Sequence, residues 1–130
     1  MFINIVAIIS ILLTFGMAML QLSLTLGAPF GEYALGGAHK VLPLKMRFTS
    51  FSFTVIFVIV GLALLQKTQI IMNIFPNSFI NILLIAYTLF LGYAILGNGI
   101  ITKNKKEKYV MTPLSIIGFA SSVIVLINYW

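Results

Sequence analysis

Four stretches of this chain hold no lysine, arginine, aspartate or glutamate, and each is long enough to cross a bilayer: Phe2–Leu26, Phe48–Leu65, Ser78–Leu96 and Pro113–Trp130. At about 1.5 Å of rise per residue, helices of 18 or 19 residues match the roughly 30 Å hydrocarbon core, and the longer first run fits by tilting. In lipid an open chain satisfies its amides only as helix, because no water is there to bond them. An apolar share of 61% with 8% charged residues leaves too little polar surface to coat a water-soluble fold. The sequence predicts an all-α membrane protein: a single domain, residues 1–130, bundling four transmembrane helices over about 2–26, 48–65, 78–96 and 113–130.

Charge then orients the bundle. Lys40, Lys45 and Arg47 follow the first run, Lys103, Lys105, Lys106 and Lys108 follow the third, and only Lys67 lies between the second and third. Four crossings put the first and third gaps on one face, and Lys/Arg excess marks that face as cytoplasmic. The expected protein is multi-pass in the cell membrane, with both termini outside and residues 27–47 and 97–112 cytoplasmic. The first run lacks the basic head and short apolar stretch of a cleaved signal, so it reads as a retained helix. The same bias argues against dual-topology assembly.

The net charge of +6 is juxtamembrane, which points to the bilayer and its anionic cytoplasmic headgroups as partners and not to nucleic acid. A partner membrane protein or a second copy of the chain are further expected partners. No cysteine, one histidine and the two acids Glu32 and Glu107 leave no basis for thiol chemistry or a metal site, and no cofactor is expected. No carboxylate falls inside an apolar run, which disfavours carboxylate-coupled export.

Within the helices, Ser10, Thr14, Met17, Ala18, Gln21 and Thr25 share an arc of about 100° on the first run and should face other helices. Interhelical hydrogen bonding and a lined solute path both fit that stripe. Ile70–Phe75 is too apolar for a solvated loop and should lie in the outer interface. Thr112 reads as an N-cap with Pro113 at the first helical position, and Lys103–Lys108 as a solvated turn. Gly118 and Ser122 permit close helix contact, and Tyr129 and Trp130 read as an interfacial anchor.

The segment Gly27–Arg47 is different in kind. It holds the only histidine, one of the two acids, and the pair Gly36-Gly37 that admits positive φ, yet it is half apolar. It should fold back against the helix ends as a structured, re-entrant-like element. Its string Gly27-Ala28-Pro29-Phe30-Gly31, then Gly36-Gly37-x-His39, Leu42-Pro43 and Arg47, resembles a signature of small bacterial four-helix membrane proteins. Phe30 stands where that signature carries tryptophan. The resemblance implies a membrane protein of this layout and brings no activity with it.

Ligand-binding candidates are Glu32, Tyr33, Gly36, Gly37, His39, Lys40 and Arg47, with Gln21 from the first helix. Glycine amides can form an anion nest beside these cations, and Glu32 and His39 are the right types for acid–base work, expected to meet in one polar site with Arg47. No nucleophile or nucleotide motif accompanies them, so no catalytic residue is assigned. The favoured function is binding or accessory work on a lipid, a small apolar molecule or a partner membrane protein. A small-solute transporter or channel is one alternative, and a lipid-headgroup enzyme is a second.

Overall fold

Four long helices form in a computed structural model that describes every residue from 1 to 130: α1 (Phe2–Thr25), α2 (Leu44–Lys67), α3 (Asn77–Leu96) and α4 (Lys105–Asn128). All four are long and apolar enough to cross a membrane, so the chain is an integral membrane protein with a four-helix bundle. A π turn, Gly97–Ile101, extends α3, and two 3-10 turns, Gly31–Tyr33 and Leu35–Gly37, lie between α1 and α2. The long 26–43 connection and the short 102–104 connection lie together at the basic end, and residues 68–76 close the opposite end.

Two helices start earlier than their apolar runs. Helix α2 begins at Leu44 behind Pro43, whose ψ of 160 holds it out of the helix, and so includes Lys45 and Arg47. Helix α4 begins at Lys105, capped by Asn104, whose side chain accepts from the Lys106 amide at 2.8 Å. Thr112 is therefore not a cap, Pro113 sits inside the helix, and residues 105–108 are its first turn, not a solvated loop. Charged side chains do not end a helix at an interface, because their aliphatic stems run along the apolar surface while the heads reach water.

Helices in lipid associate through close packing and polar links, since lipid tails are as apolar as leucine. The polar arc of α1 faces inward as expected: Ser10, Thr14, Ala18 and Gln21 are buried. Thr14 Oγ1 and Tyr87 OH lie 2.9 Å apart across α1 and α3, and Thr88 Oγ1 and Ser122 Oγ 2.6 Å apart across α3 and α4. Gly61 admits the Phe15 ring, whose Cζ would be 2.6 Å from any added Cβ. Toward the end opposite the basic one, Val60, Ala63, Leu64, Ile80 and Leu84 are all buried in one cluster.

At that opposite end one side chain organises the connection. Gln66 Oε1 accepts from the amides of Ile74 and Phe75, both at 2.9 Å, and its Nε2 donates to the Phe75 carbonyl at 2.8 Å. Lys67 donates to Asn81 and lies 5.1 Å over the Trp130 ring, which ties the terminal aromatic to this rim.

Candidate functional site

The basic half of the bundle is not filled. A cavity of about 860 Å³ runs from Leu13, Phe57, Tyr87 and Gly118 in the middle of the helices to Thr102 and Asn104 at the end. Along α4 this is the stretch from Glu107 to Gly118, about 16 Å of helix at 1.5 Å per residue. Its volume falls within the roughly 300–1,000 Å³ of small-molecule sites. Aromatic rings from α2 and α3 form one side, with Phe53 and Phe57 facing Phe90 at centroid distances of 6.1 and 6.2 Å. Residues Tyr33–Ala38 roof it.

The roof keeps its shape through three consecutive left-handed residues: Leu35 (φ 52), Gly36 (φ 85) and Gly37 (φ 68). A left-handed leucine costs about 1–2 kcal/mol; packing against Leu24, Ala34 and Leu42 offsets it. Only glycine fits at Gly37, where a Cβ would lie 2.5 Å from the Asn104 Cβ and 2.8 Å from the Glu32 carbonyl oxygen. The segment closes on itself where the Gly31 amide donates to the Lys40 carbonyl at 2.8 Å.

Helix α4 fastens this roof. Asn104 Nδ2 donates to the Gly37 carbonyl at 2.8 Å, and Lys106 Nζ forms the one salt bridge, with Glu32 at 2.5 Å. That ammonium holds the exposed Glu32 carboxyl below its ordinary value. Beneath them, Glu107 is 6% exposed. It accepts from Thr102 Oγ1 at 2.8 Å and, weakly, from the Gly36 amide at 3.4 Å.

Of the residues singled out from sequence, Gln21, Tyr33, Gly36 and Gly37 line the cavity. Gln21 Oε1 accepts from Ser50 Oγ at 2.7 Å, an α1–α2 link at the cavity wall. The other four lie outside the lining. Glu32 pairs with Lys106 instead of His39, because the first turn of α4 rests against residues 31–33. His39 and Lys40 are exposed. Arg47 Nε donates to the Leu42 carbonyl at 2.9 Å, and its guanidinium lies beside Gly27, clasping the two ends of the segment. Glu32 and Arg47 thus each have a partner other than His39. The two glycine amides that would form an anion nest are also engaged, Gly36 with Glu107 and Gly37 with the Ala34 carbonyl.

Sequence reasoning missed Glu107, Thr102 and Asn98, which all line the cavity. Since α4 starts at Lys105, a carboxylate does belong to a membrane-length helix. The signal was present: Asn104 followed three residues later by Glu107 is a helix-start pattern. No protein-family model, curated protein or solved structure matches this chain.

Proposed function

We propose that this is a protein of a bacterial cell membrane that binds an apolar or amphipathic small molecule, lipid included, between its helices. The cavity carries the reading: about 860 Å³ of largely aromatic and aliphatic wall with a few polar groups at one end is the usual make-up of a ligand site. Entry is from the bilayer, beside Phe90 and Tyr93, which are exposed on the lipid-facing side of α3. The filled opposite half supports binding over conduction, because Val60, Leu64, Ile80 and Leu84 leave no continuation of the cavity there. Glu32 is taken up by its ion pair with Lys106, which argues against its use as an acid or base in the roof.

The basic end faces the cytoplasm in this reading, with residues 27–47 and 97–112 inside and both termini outside, because Lys/Arg bias follows that side. The likeness of Gly27–Arg47 to the signature of small bacterial membrane proteins supports the bacterial membrane but carries no orientation. The bilayer is a partner by construction of the fold; anionic headgroups would meet Lys40, Lys45 and Lys105, which are exposed.

A neutral photoreactive probe, a long-chain alcohol bearing a diazirine, tests the cavity in liposomes. Saturable labelling of Met17, Phe57 and Leu91 is expected, and Ala94→Phe, which adds a ring at the wall, should lower it. Labelling confined to lipid-facing Leu12 and Leu89, without saturation, would overturn the proposal. For orientation, a cysteine at Met72 should react with an impermeant maleimide in intact cells and one at Lys105 should not; the reverse pattern would invert the topology.

A further inference from the structure

We infer that the ligand of this cavity carries a protonated amine, seated on Glu107, above an apolar body that occupies the aromatic part. This rests on the cavity being a binding site and adds the charge of its occupant. Glu107 is 6% exposed and forms part of the lining. No lysine, arginine or histidine forms an ion pair with it, since the chain's single salt bridge is Lys106–Glu32. Lys103, the one cation of the lining, stands exposed.

A carboxylate offers about four acceptor positions. Glu107 receives one good hydrogen bond, from Thr102 at 2.8 Å, and one long one, from Gly36 at 3.4 Å. Part of the capacity of this buried carboxylate is therefore unmet. Its place in the first turn of α4 gives it some favourable interaction with the helix dipole, but it does not serve as the cap. Asn104 bonds the Lys106 amide instead. A carboxylate this buried is costly and normally has a named partner; within this chain there is no cationic one.

The cavity around Glu107 suits such a ligand. Tyr33, Thr102 and Asn104 line the end of the cavity with it, Asn98 and Ser115 add polar atoms along the wall, and Phe53, Phe57 and Phe90 supply the aromatic part. An N–H donor on an ammonium would complete the carboxylate's bonds, and aromatic faces favour a neighbouring cation. The lysines Lys105, Lys106 and Lys108 lie on the same turn but are exposed, so water and salt screen them more than the buried site.

Competition against the neutral diazirine alcohol tests this with two matched probes, dodecylammonium and 1-dodecanol, on the full chain in liposomes. The ammonium should displace the label at least about tenfold more effectively than the alcohol, the scale of a hydrogen bond to a charged group. That advantage should fall to within about threefold in Glu107→Gln and persist in Glu107→Asp, which keeps the charge. Equal competition by the two probes in the wild-type protein would overturn the inference while leaving the cavity reading intact, and this comparison needs no variant to fold. An ammonium advantage that survives in a folded Glu107→Gln would also overturn it. Absence of saturable labelling by the neutral alcohol would remove the binding site and the inference with it.

Discussion

The two ends of the bundle solve one problem in opposite ways. Residues 68–76 and residues 26–43 each bring irregular backbone to the edge of the membrane, where unpaired amides are expensive. At the first, Gln66 reaches to Phe75, nine positions along the chain, and the end is closed by its own neighbours over a filled core. At the second, the fasteners come from α4: Asn104 bonds Gly37 across 67 positions and Lys106 meets Glu32 across 74. A closure made locally needs only α2 and α3. One made at long range needs α1, α2 and α4 already docked, and it encloses a cavity.

The largest effect is expected where the long-range closure has no slack. Gly37→Val would force a β-branched residue to φ 68 and into Asn104, costing about 3 kcal/mol or more. Thermal unfolding in detergent should show it, together with new protease cleavage within residues 26–43. The neighbouring Gly36→Ala has the same left-handed backbone but no atom within 4 Å of the added Cβ. It should cost only about 1 kcal/mol. Equal effects would mean that backbone strain alone governs the roof, and the long-range fastening would lose its weight.

Gln66→Leu comes next. It leaves the Ile74 and Phe75 amides without their acceptor, a loss of about 2 kcal/mol at a rim that water partly reaches. Its signature should be confined to its own end: lower stability, with saturable probe labelling of the distant cavity retained. Loss of labelling would show that the two closures are not independent. Asn104→Ala removes the α4 cap and the Gly37 bond together and should cost about 1–2 kcal/mol. Unlike Gln66→Leu, it should also weaken labelling.

The smallest effect belongs to Glu32. Its carboxyl is held below the ordinary value of 4.5 by the Lys106 hydrogen bond, so unfolding takes up protons as that bond is lost. The pair's contribution is complete above the unfolded value and disappears as pH falls through the folded one. Between pH 7 and 3 the melting temperature of wild type should fall slightly more than that of Glu32→Gln. Parallel profiles would show that the exposed pair adds nothing, as is common for such pairs.

The contrast also explains what could be read from sequence. Four helices, the inward arc of Ser10, Thr14 and Gln21, and the special backbone at Gly36-Gly37 follow from local rules: apolar length, 3.6-residue periodicity and the steric freedom of glycine. The starts of α2 and α4 did not, because charge does not mark a helix boundary where lysines tolerate an interfacial first turn. The Asn104–Glu107 pattern was present but lay outside the apolar run. Pairing in the roof was out of reach for another reason. Glu32 has His39 seven residues away and Lys106 seventy-four away, and only the docking of α4 decides between them.

The π turn after α3 carries a consequence for insertions and deletions. The Thr102 amide donates to the Gly97 carbonyl, five positions back, at 2.9 Å, so Gly97–Ile101 spends one more residue per turn than an α-helix would. Removing one residue here would let α3 run on as ordinary helix, a change the backbone itself would welcome. An α turn of one residue fewer covers nearly the same rotation, so the residues beyond it keep their facing, and the bonds of Asn98 to Ser115 and of Thr102 to Glu107 stay within reach. A chain shortened at Gly99 or Ile100 should therefore still make four helices, still enter a membrane and still hold its buried carboxylate by the Thr102 hydroxyl. The wide turn takes up one residue without changing the face that the end of α3 presents to α4.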